Sequence, residues 1–364
     1  MTECVIAHNV RRIRSFKGLS QEAVAEKAEV SRAAYRNIEN GKTAPRVNTL
    51  QAIAKSLGVK LEDLVESTPP LSGVRFRRLK KMHSREQILV NVATWLRDFN
   101  MLEDLVKNEE KKKFAFRKSS SLVAKGEKDP EVIAASARED SGLKKDSDAI
   151  RDICDLLVSR GIKVFPYSVA SEGFFGLSVS KKESGPAIVV NVWDRIPVER
   201  WIFSAAHELG HIILHPDSFD VKVSEEDKKA EMEANVFASS FLMPKKRFEK
   251  EWNSTYGLHF VDRVFKVKRI FKVSYKTILS RLEGTSSFDK SIWMKFNVMY
   301  KQKFKRSLGG KVEPQPMNPY DFQEDRLYSL VRKAIQSEQI TIHKGAQILR
   351  ISLEKMREWG ASWV

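Results

Sequence analysis

The pentapeptide His207-Glu208-Leu209-Gly210-His211 holds the residues of this chain that are best suited to chemistry. Because His207 and His211 are four residues apart on a predicted helix, both imidazoles project from one face, about one turn apart. A single zinc ion can bridge two nitrogens at that spacing, and Glu208 can reach a water at the metal and take its proton. The pattern therefore predicts a metal-dependent hydrolytic site.

A catalytic zinc ion needs a third protein ligand and an open coordination position. The next predicted helix, in KKAEMEANVFASSFLMP, offers Glu231, and Asn235 shares its face and can orient a ligand. Glu233 lies on a different face and is the alternative donor. Zinc is the metal expected from these ligand types, and neither Mn²⁺ nor Fe²⁺ is excluded. Three further side chains are candidates for stabilising an oxyanion: His215, for which packing at the helix end is favoured, Tyr167 and His259.

The segment 187–244 resembles the ImmA/IrrE family of metallopeptidases. The resemblance is carried by AIVVN, ERWIFSAAHELGHIILH and EMEANVFASSFLMP, in that order. It implies a minimal zincin-like domain, in which a short sheet, a metal helix and a second helix form the site. By the same resemblance the zinc ligands are His207, His211 and Glu231. Glu208 is then the general base and acid, and zinc lowers the pKa of its water towards about 7.

Residues 6–66 alternate short amphipathic helical patterns with single turns. Gln21–Ala28 predicts one helix. Ser31 is a good N-cap for a second helix, which Gly41 ends. Two helices joined by a tight turn form a helix-turn-helix, an arrangement that fits the major groove of DNA.

This segment resembles the repressor-type (Cro/C1, or XRE) helix-turn-helix family over the whole domain of about 60 residues. The resemblance implies a buried ion pair between Arg14 and Glu39. It also implies six DNA-contacting residues: Arg32, Ala33 and Asn37 at base edges, and Gln21, Asn40 and Lys42 at phosphates. Among these, Arg32 has a side chain whose fork can bind guanine O6 and N7.

Charge and cysteine content agree with an intracellular DNA-binding protein. The chain has 64 Lys and Arg against 47 Asp and Glu, for a net charge of +17, which favours polyanionic partners. Cys4 and Cys154 form no C-x-x-C pair, which argues against a thiolate metal site or a disulfide framework. The N-terminus lacks the apolar segment of a signal peptide, and no apolar run is long enough to cross a bilayer. We therefore expect a cytoplasmic protein without membrane contact.

The order of predicted elements indicates an α+β protein, mainly α-helical with a small antiparallel β-sheet. Strand patterns at 162–167, 176–180 and 187–192 precede helices at 197–215 and 226–241. We expect four domains: a five-helix helix-turn-helix domain at 1–67, a helical connector at 68–148, the zincin-like metallopeptidase domain at 149–285, and a C-terminal helical domain at 286–364. The last of these is either a second helix-turn-helix or a bundle that docks a partner.

These patterns favour a transcriptional regulator with its own zinc-dependent endopeptidase. Its expected partners are a double-stranded DNA operator and a protein or peptide substrate. That substrate is a neighbouring repressor, an antitoxin-like protein or the chain itself. We expect a homodimer, because repressor-type domains usually read two half-sites. The alternative is a non-enzymatic repressor or antitoxin whose zincin-like domain is a sensor or an interaction module.

Overall fold

The computed structural model describes residues 5–65, 71, 73–76, 85–106, 113–144, 146, 148–181, 185–219, 227–283, 288–310 and 312–363. They form two compact units. Unit 1 comprises residues up to Leu71 together with those in 79–97, and unit 2 comprises 72–78 and 98–364. The domain boundaries expected near residues 67 and 285 lie outside the described residues, so the four-domain division stays a prediction.

Unit 1 contains the predicted helix-turn-helix domain, and its five helices are confirmed. They are α1 (Val5–Phe16), α2 (Gln21–Lys27), α3 (Arg32–Glu39), α4 (Val47–Leu57) and α5 (Leu61–Val65). Ser20 caps α2 and Ser31 caps α3, each by accepting a hydrogen bond from the backbone N–H three residues later. The turn between these helices passes through Glu29, whose φ of 55° ends α2 sharply.

The core of unit 1 fixes how α3 is presented. Tyr35 and Ile38 on the inner face of α3 are buried, together with Val24 of α2 and Ile53 of α4. The residues between Tyr35 and Ile38 on α3 are exposed. The amphipathic pattern of α3 therefore leaves one face of this short helix in solvent.

Unit 2 is built around a four-stranded sheet. Its strands are β1 (Val74–Phe76), β2 (Lys163–Tyr167), β3 (Gly176–Val179) and β4 (Ala187–Asn191), in the spatial order β1-β3-β4-β2. Every residue of β3 and β4 is buried, as expected for strands that are covered on both faces. The sequence patterns predicted β2, β3 and β4, whereas β1 was missed.

The sheet is mixed, so the expectation of an antiparallel sheet was wrong in one respect. β3 pairs antiparallel with both β1 and β4, but β2 and β4 run parallel. The Gly, Lys and Ser clusters between the strand patterns favoured antiparallel pairing of neighbouring strands, yet β4 lies between β2 and β3 in the sheet. The Asn191 side chain holds this connection by bonding Val169 N–H, Val169 C=O and Phe174 C=O, each within 2.9 Å. The α+β fold class is confirmed.

Most of unit 2 outside the sheet is helical. Helix α6 (Arg85–Leu105) starts in residues of unit 1 and ends in residues of unit 2. The others are α7 (Arg117–Ala124), α8 (Pro130–Asp140), α9 (Ile153–Ser159), α10 (Val198–Leu214), α11 (Lys228–Leu242), α12 (Lys245–Ser254), α13 (Phe260–Phe271), α14 (Tyr275–Glu283), α15 (Ser291–Phe304), α16 (Arg326–Gln336), α17 (Ile342–Leu349) and α18 (Leu353–Ala361). Among the described helices, none has both the length and the apolar character needed to cross a bilayer.

Candidate metal centre and nucleic-acid interface

Helix α10 carries the two histidines and the glutamate of the pentapeptide. The helix follows Pro197, whose φ of −61° is compatible with the start of a helix. Every residue from Ser204 to Ile213 is buried. Polar side chains in such surroundings need partners within the protein, because an unpaired buried polar group is costly. The partners of His207, Glu208 and His211 therefore indicate the function of this part of the helix.

His207, His211 and Glu231 form one compact cluster. The Nε2 atoms of the two histidines lie 2.9 Å apart. Glu231 comes from α11, and its carboxylate oxygens lie 3.4 Å from His207 Nε2 and 3.2 Å from His211 Nε2. Among the described residues, these three side chains are also the group whose ligand atoms lie close enough together to hold one metal ion. Glu231, rather than Glu233, is the carboxylate brought to the histidines.

A second set of side chains orients the imidazoles. His207 Nδ1 lies 2.9 Å from the amide oxygen of Asn235, which can only accept, so Nδ1 donates and the Nε2 lone pair faces the cluster. His211 Nδ1 lies 3.2 Å from His215 Nδ1, and His215 Nε2 lies 2.9 Å from a carboxylate oxygen of Glu233. Such outer hydrogen bonds fix ring orientation and tautomer in metal sites.

The protonation states of the cluster suit a cation. Burial lowers the pKa of His211 to about 3, despite the opposing effect of the Glu231 carboxylate, so the imidazole is neutral. For Glu231, burial opposes ionisation, but its close contacts with the imidazoles of His207 and His211 outweigh burial and hold its pKa well below the ordinary value. The result is a neutral His211 imidazole and an ionised Glu231 carboxylate, both directed at the same point as His207 Nε2.

This donor set fits a divalent metal such as zinc. Two imidazole nitrogens and one carboxylate are a set typical of catalytic zinc sites that keep one position open. Two ring nitrogens 2.9 Å apart, both facing the same carboxylate, have lone pairs that a shared cation would satisfy. The donors are compatible with several first-row metals, since imidazole and carboxylate bind them all.

Glu208 is held beside the cluster by the sheet. Its side chain is buried, and Ser178 of β3 donates a hydrogen bond of 2.8 Å from Oγ to Glu208 Oε2. Gly176 makes the close approach of β3 possible, because a Cβ there would lie 3.3 Å from Glu208 Oε1 and 2.8 Å from the Val189 carbonyl oxygen. Sequence reasoning missed Ser178 and Gly176, because their proximity to α10 depends on contacts between distant segments.

Strand β1 adds a positive charge to the site. Arg75 lies with Nη2 3.7 Å from Glu231 Oε1, and both side chains are largely buried. The sequence alone predicted no role for Arg75 in the site. Its pairing with Ser178 across the sheet is a matter of register, which the sequence of such a short strand does not specify.

The proposed oxyanion candidates have other roles. His215 is the C-cap of α10, and His259 caps α13 with Nδ1 facing the Val261 N–H. Tyr167 stacks on Phe165 with ring centroids 5.2 Å apart. A cavity of about 930 Å³ also lies in unit 2, lined in part by Phe175, Trp193, Phe203, Met232 and Asn235. Because Asn235 also bonds His207, the cavity adjoins the cluster, and its volume is that of a ligand site.

On α3 and its surroundings, five of the six residues predicted to contact DNA are exposed. They are Arg32, Ala33, Asn37, Asn40 and Lys42. Gln21 is half-buried, and its amide donates to Glu39 Oε1 at 3.0 Å. Asn40 Oδ1 accepts a hydrogen bond from Arg11 at 3.0 Å. Arg32 and Glu22 form an exposed ion pair at 3.8 Å, which water and salt weaken.

The predicted ion pair between Arg14 and Glu39 is present and supports α3 from behind. It is bidentate, with Arg14 Nε and Nη2 donating at 2.8 and 2.7 Å. Burial opposes ionisation of Glu39, but the hydrogen bonds from Arg14 and Gln21 outweigh it and lower its pKa. The hydrogen bonds with Glu39 raise the pKa of Arg14 in turn. A charged pair thus anchors the end of α3 to α1.

Comparison with known proteins matches both parts of the chain. Residues 10–64 match the helix-turn-helix family model, and residues 159–283 match the IrrE N-terminal-like domain of the M78 peptidases. The chain is 36% identical over 64 residues to the uncharacterized HTH-type transcriptional regulator y4dJ of Sinorhizobium fredii, covering 18% of this chain and 83% of that protein. It is 31% identical over 61 residues to the HTH-type transcriptional regulator DdrOP3 of Deinococcus deserti.

The match to the Deinococcus deserti regulator covers 17% of this chain and spans about half of that protein's length, 47%. Among solved structures, the crystal structure of ComR from Streptococcus suis aligns over 99% of this chain and 93% of its own, with 10% identity and a TM-score of 0.17. The family-model matches, and the 36% identity over 83% of the Sinorhizobium fredii regulator, show that the chain belongs to the helix-turn-helix transcriptional regulators and carries an IrrE N-terminal-like domain of the M78 peptidase family.

Proposed function

We propose that this regulator binds an operator through α3 and hydrolyses a peptide bond in a protein partner at the cluster of His207, His211 and Glu231. The observation that carries the enzymatic part is the convergence of the His207 and His211 imidazoles and the Glu231 carboxylate beside Glu208. A neighbouring repressor, an antitoxin-like protein or the chain itself is the substrate. Zinc is the proposed metal, and the donors also accept Mn²⁺ or Fe²⁺.

The chemistry divides between the metal and the protein. When bound, zinc supplies Lewis acidity, which activates a water nucleophile and polarises the scissile carbonyl. In our proposal the Glu208 carboxylate takes a proton from the attacking water and delivers it to the leaving amine. Ser178 orients Glu208 by its hydrogen bond to Oε2. Asn235 keeps His207 in the tautomer whose Nε2 faces the cluster.

The peptidase proposal is tested by incubating the zinc-loaded protein with the repressor encoded beside it and following cleavage by mass spectrometry. We expect Glu208→Gln to slow cleavage by roughly 10²–10⁴-fold, because it removes the proton acceptor. Glu354→Gln, at an exposed position of α18, is the matched control and should cleave like the wild type. Equal cleavage by Glu208→Gln and the wild type would exclude this role for Glu208.

Metal binding is tested separately from catalysis. We expect one zinc ion per chain in the wild type and its loss in His207→Ala, because a ligand is removed. His343→Ala, an exposed histidine of α17, serves as the control and should retain the metal. If His207→Ala retained as much zinc as His343→Ala and the wild type, the metal would be bound at another site.

The DNA-binding proposal assigns Arg32, Ala33 and Asn37 to base edges, and Gln21, Asn40 and Lys42 to phosphates. Arg32→Ala should lower discrimination between operator and unrelated DNA by about 1–3 kcal/mol. Lys42→Ala should weaken binding to all DNA sequences. It should also reduce the slope of log K against the logarithm of salt concentration by about one. Lys266→Ala, an exposed lysine of unit 2, controls for lost charge and should leave the salt slope unchanged. A homodimer on two half-sites is expected.

A second candidate function is a non-enzymatic repressor whose metal domain is a sensor. The observation that favours it is Arg75, a residue of this chain that already lies against Glu231. In that case zinc alters operator affinity, and the protein cleaves neither its partner nor itself. Measuring operator affinity with and without zinc, in the wild type and in Glu208→Gln, separates the two functions.

A further inference from the structure

Strand β1 occupies the outer edge of the sheet next to the candidate metal centre. It pairs antiparallel with β3, with Val74 opposite Val179 and Arg75 opposite Ser178. The Ser180 N–H donates to the Gly73 carbonyl at 2.8 Å, which extends the ladder by one residue. The edge of β3 that faces away from β4 is therefore filled by a short segment of the same chain.

The register directs one side chain of β1 at the cluster. Residues directly opposite in a sheet project from the same face, so Arg75 lies on the face from which Ser178 bonds Glu208. Arg75 then reaches Glu231, with Nη2 3.7 Å from Oε1. Val74 lies on the other face and is completely buried. β1 thus presents a guanidinium to a candidate metal ligand while its backbone follows β3.

The sequence position of β1 separates it from the other strands. Residues 72–78 belong to unit 2, whereas the chain before them and residues 79–97 belong to unit 1. More than 80 residues lie between β1 and β2, so no hairpin ties β1 to the sheet. Three residue pairs and one added hydrogen bond are a small contact for a strand, and strands this short pair weakly by themselves.

We propose that β1 is an internal pseudosubstrate, which occupies the place where an extended peptide substrate binds to β3. This inference rests on the peptidase function proposed above. Addition of an extended peptide to a sheet edge is a common recognition mode, in which main-chain bonds give affinity and alternate side chains give specificity. The substrate is then an extended segment with a basic residue opposite Ser178, where its charge meets Glu231. Release of β1 precedes substrate binding.

The test measures binding of a fluorescent peptide that copies residues 71–81, LSGVRFRRLKK, to the zinc-loaded full chain. Gly73 and Ser180 form a hydrogen-bonded pair of the ladder. Because hydrogen-bonded and non-hydrogen-bonded pairs alternate along an antiparallel ladder, Arg75 and Ser178 also form a hydrogen-bonded pair. Arg75→Pro removes that donor and should release β1. We expect the peptide to bind this variant at least tenfold more tightly than the wild type, and a scrambled peptide to bind both equally weakly.

A reversible cross-link provides a second measurement that does not depend on a destabilised variant. Val74 and Val179 face each other in a non-hydrogen-bonded pair, whose Cα spacing of about 4.5 Å suits a disulfide. In a chain with Cys4→Ser and Cys154→Ser, Val74→Cys with Val179→Cys should block peptide binding when oxidised and restore it when reduced. Equal peptide binding in the oxidised and reduced forms would overturn the proposal, as would unchanged binding by a zinc-containing Arg75→Pro variant.

The substrate class is tested with a peptide in which glutamate replaces the arginine that corresponds to Arg75. It should bind the Arg75→Pro variant at least tenfold more weakly than the original peptide, and equal binding would refute the basic preference. These measurements report binding and not hydrolysis. Peptide binding that depends on release of β1, together with no cleavage of the partner repressor, would reject the peptidase and leave β3 as a peptide-binding edge that β1 covers. Cleavage of a partner, together with equal peptide binding by the wild type and the Arg75→Pro variant, would support the peptidase and reject the pseudosubstrate role of β1.

Discussion

Asn235 is the residue that connects the candidate metal cluster to its surroundings. It lies one helical turn after Glu231 on α11, lines the cavity of unit 2 and accepts the His207 Nδ1 hydrogen bond. One helix therefore supplies both a candidate ligand and the group that orients another. Replacing outer partners of this kind typically lowers metal affinity by about 10–100-fold.

Replacement of Asn235 tests this orienting role. We expect Asn235→Ala to lower zinc affinity by about 10–100-fold, because His207 loses the acceptor that fixes its tautomer. Asn235→Asp keeps an acceptor and should retain most of the affinity. Asn253→Ala, at an exposed position of α12, is the matched control. Competition with a chelator gives the affinities, and an Asn235→Ala affinity within twofold of the wild type would refute the role.

The pair of Arg14 and Glu39 gives a prediction for acid stability. The pKa of Glu39 is lowered in the folded state, so its contribution is present above the ordinary carboxyl pKa of 4.5 and is lost as pH falls through the lowered value. Glu39→Gln should cost roughly 3 kcal/mol at neutral pH, because Arg14 loses its counter-charge. Urea titration between pH 2 and 7 should show that the difference from the wild type shrinks in acid.

At the residue scale, the candidate ligands could be predicted because they depend on local geometry. The spacing of His207 and His211 places both on one turn of any helix, whatever surrounds it. Ser178 and Arg75 could not be predicted, since their proximity to α10 requires the pairing of β1 with β3. Register is set by the whole sheet and by its packing on the helices.

At the level of elements, close packing of α10 and α11 brings the ligands of the two helices together. Gly210 lies at this contact, where a Cβ would be 3.1 Å from the Phe237 ring and 3.4 Å from Ala234 Cα. Its lack of a side chain lets the helices approach, as small residues do at other helix contacts. Glu231 can then reach His207 and His211.

A larger residue at Gly210 should separate the two helices. We expect Gly210→Val to destabilise unit 2 by about 1–3 kcal/mol through overpacking and to weaken zinc binding, because Glu231 moves away from the histidines. Gly173→Ala is the control, since a Cβ there meets no atom within 4 Å. Thermal unfolding and chelator competition measure both effects. If Gly210→Val bound zinc as tightly as the wild type, the contact between α10 and α11 would not determine the positions of the metal ligands.

The elements themselves were largely predictable from the sequence. Helices α10 and α11 follow strong apolar periodicity with clear ends, and β2 to β4 are β-rich segments between turn signals. Strand β1 was missed because three residues, one of them Arg75, show no alternation pattern. The parallel pairing of β2 and β4 was missed because it depends on β3 being placed on the far side of β4.

At the scale of the whole chain, polar contacts join the C-terminal helices to earlier parts of unit 2. Arg326 at the start of α16 donates to Glu103 at 2.8 Å, and Glu103 also pairs with Lys163 of β2 at 3.4 Å. Glu324 accepts hydrogen bonds from the backbone N–H groups of Arg326 and Leu327. Burial raises the pKa of Glu324 to about 7 despite these bonds.

This raised pKa predicts a loss of stability with rising pH. The folded state keeps the Glu324 proton up to about pH 7, whereas the unfolded chain releases it near 4.5, so stability falls as pH rises between these values. Between pH 5 and 8 the melting temperature of the wild type should fall. That of Glu324→Gln should fall by roughly 2–6 °C less. Glu358→Gln, exposed on α18, should follow the wild type. Parallel curves for all three would refute the assignment.

A buried charge cluster links α10 to residues beyond the family match. Lys268 of α13 is fully buried and donates to Glu199 at 2.8 Å, to Glu313 at 2.6 Å and to the Pro314 carbonyl at 2.8 Å. The match to the peptidase family ends at residue 283. Removing Glu313 leaves a buried cation with one carboxylate fewer, and breaking such a pair costs about 3–5 kcal/mol.

The stable domain is consequently longer than residues 159–283, the range that the peptidase family model matches. Moving this domain into another protein would require the residues that follow the match. A fragment ending at Glu283 should be less stable by several kcal/mol than one extended through Phe322, which keeps Glu313 and the Met317 N–H that bonds Glu199. Urea unfolding of the two fragments compares them directly. Recombination between such regulators would have to place its junction after the partners of Lys268.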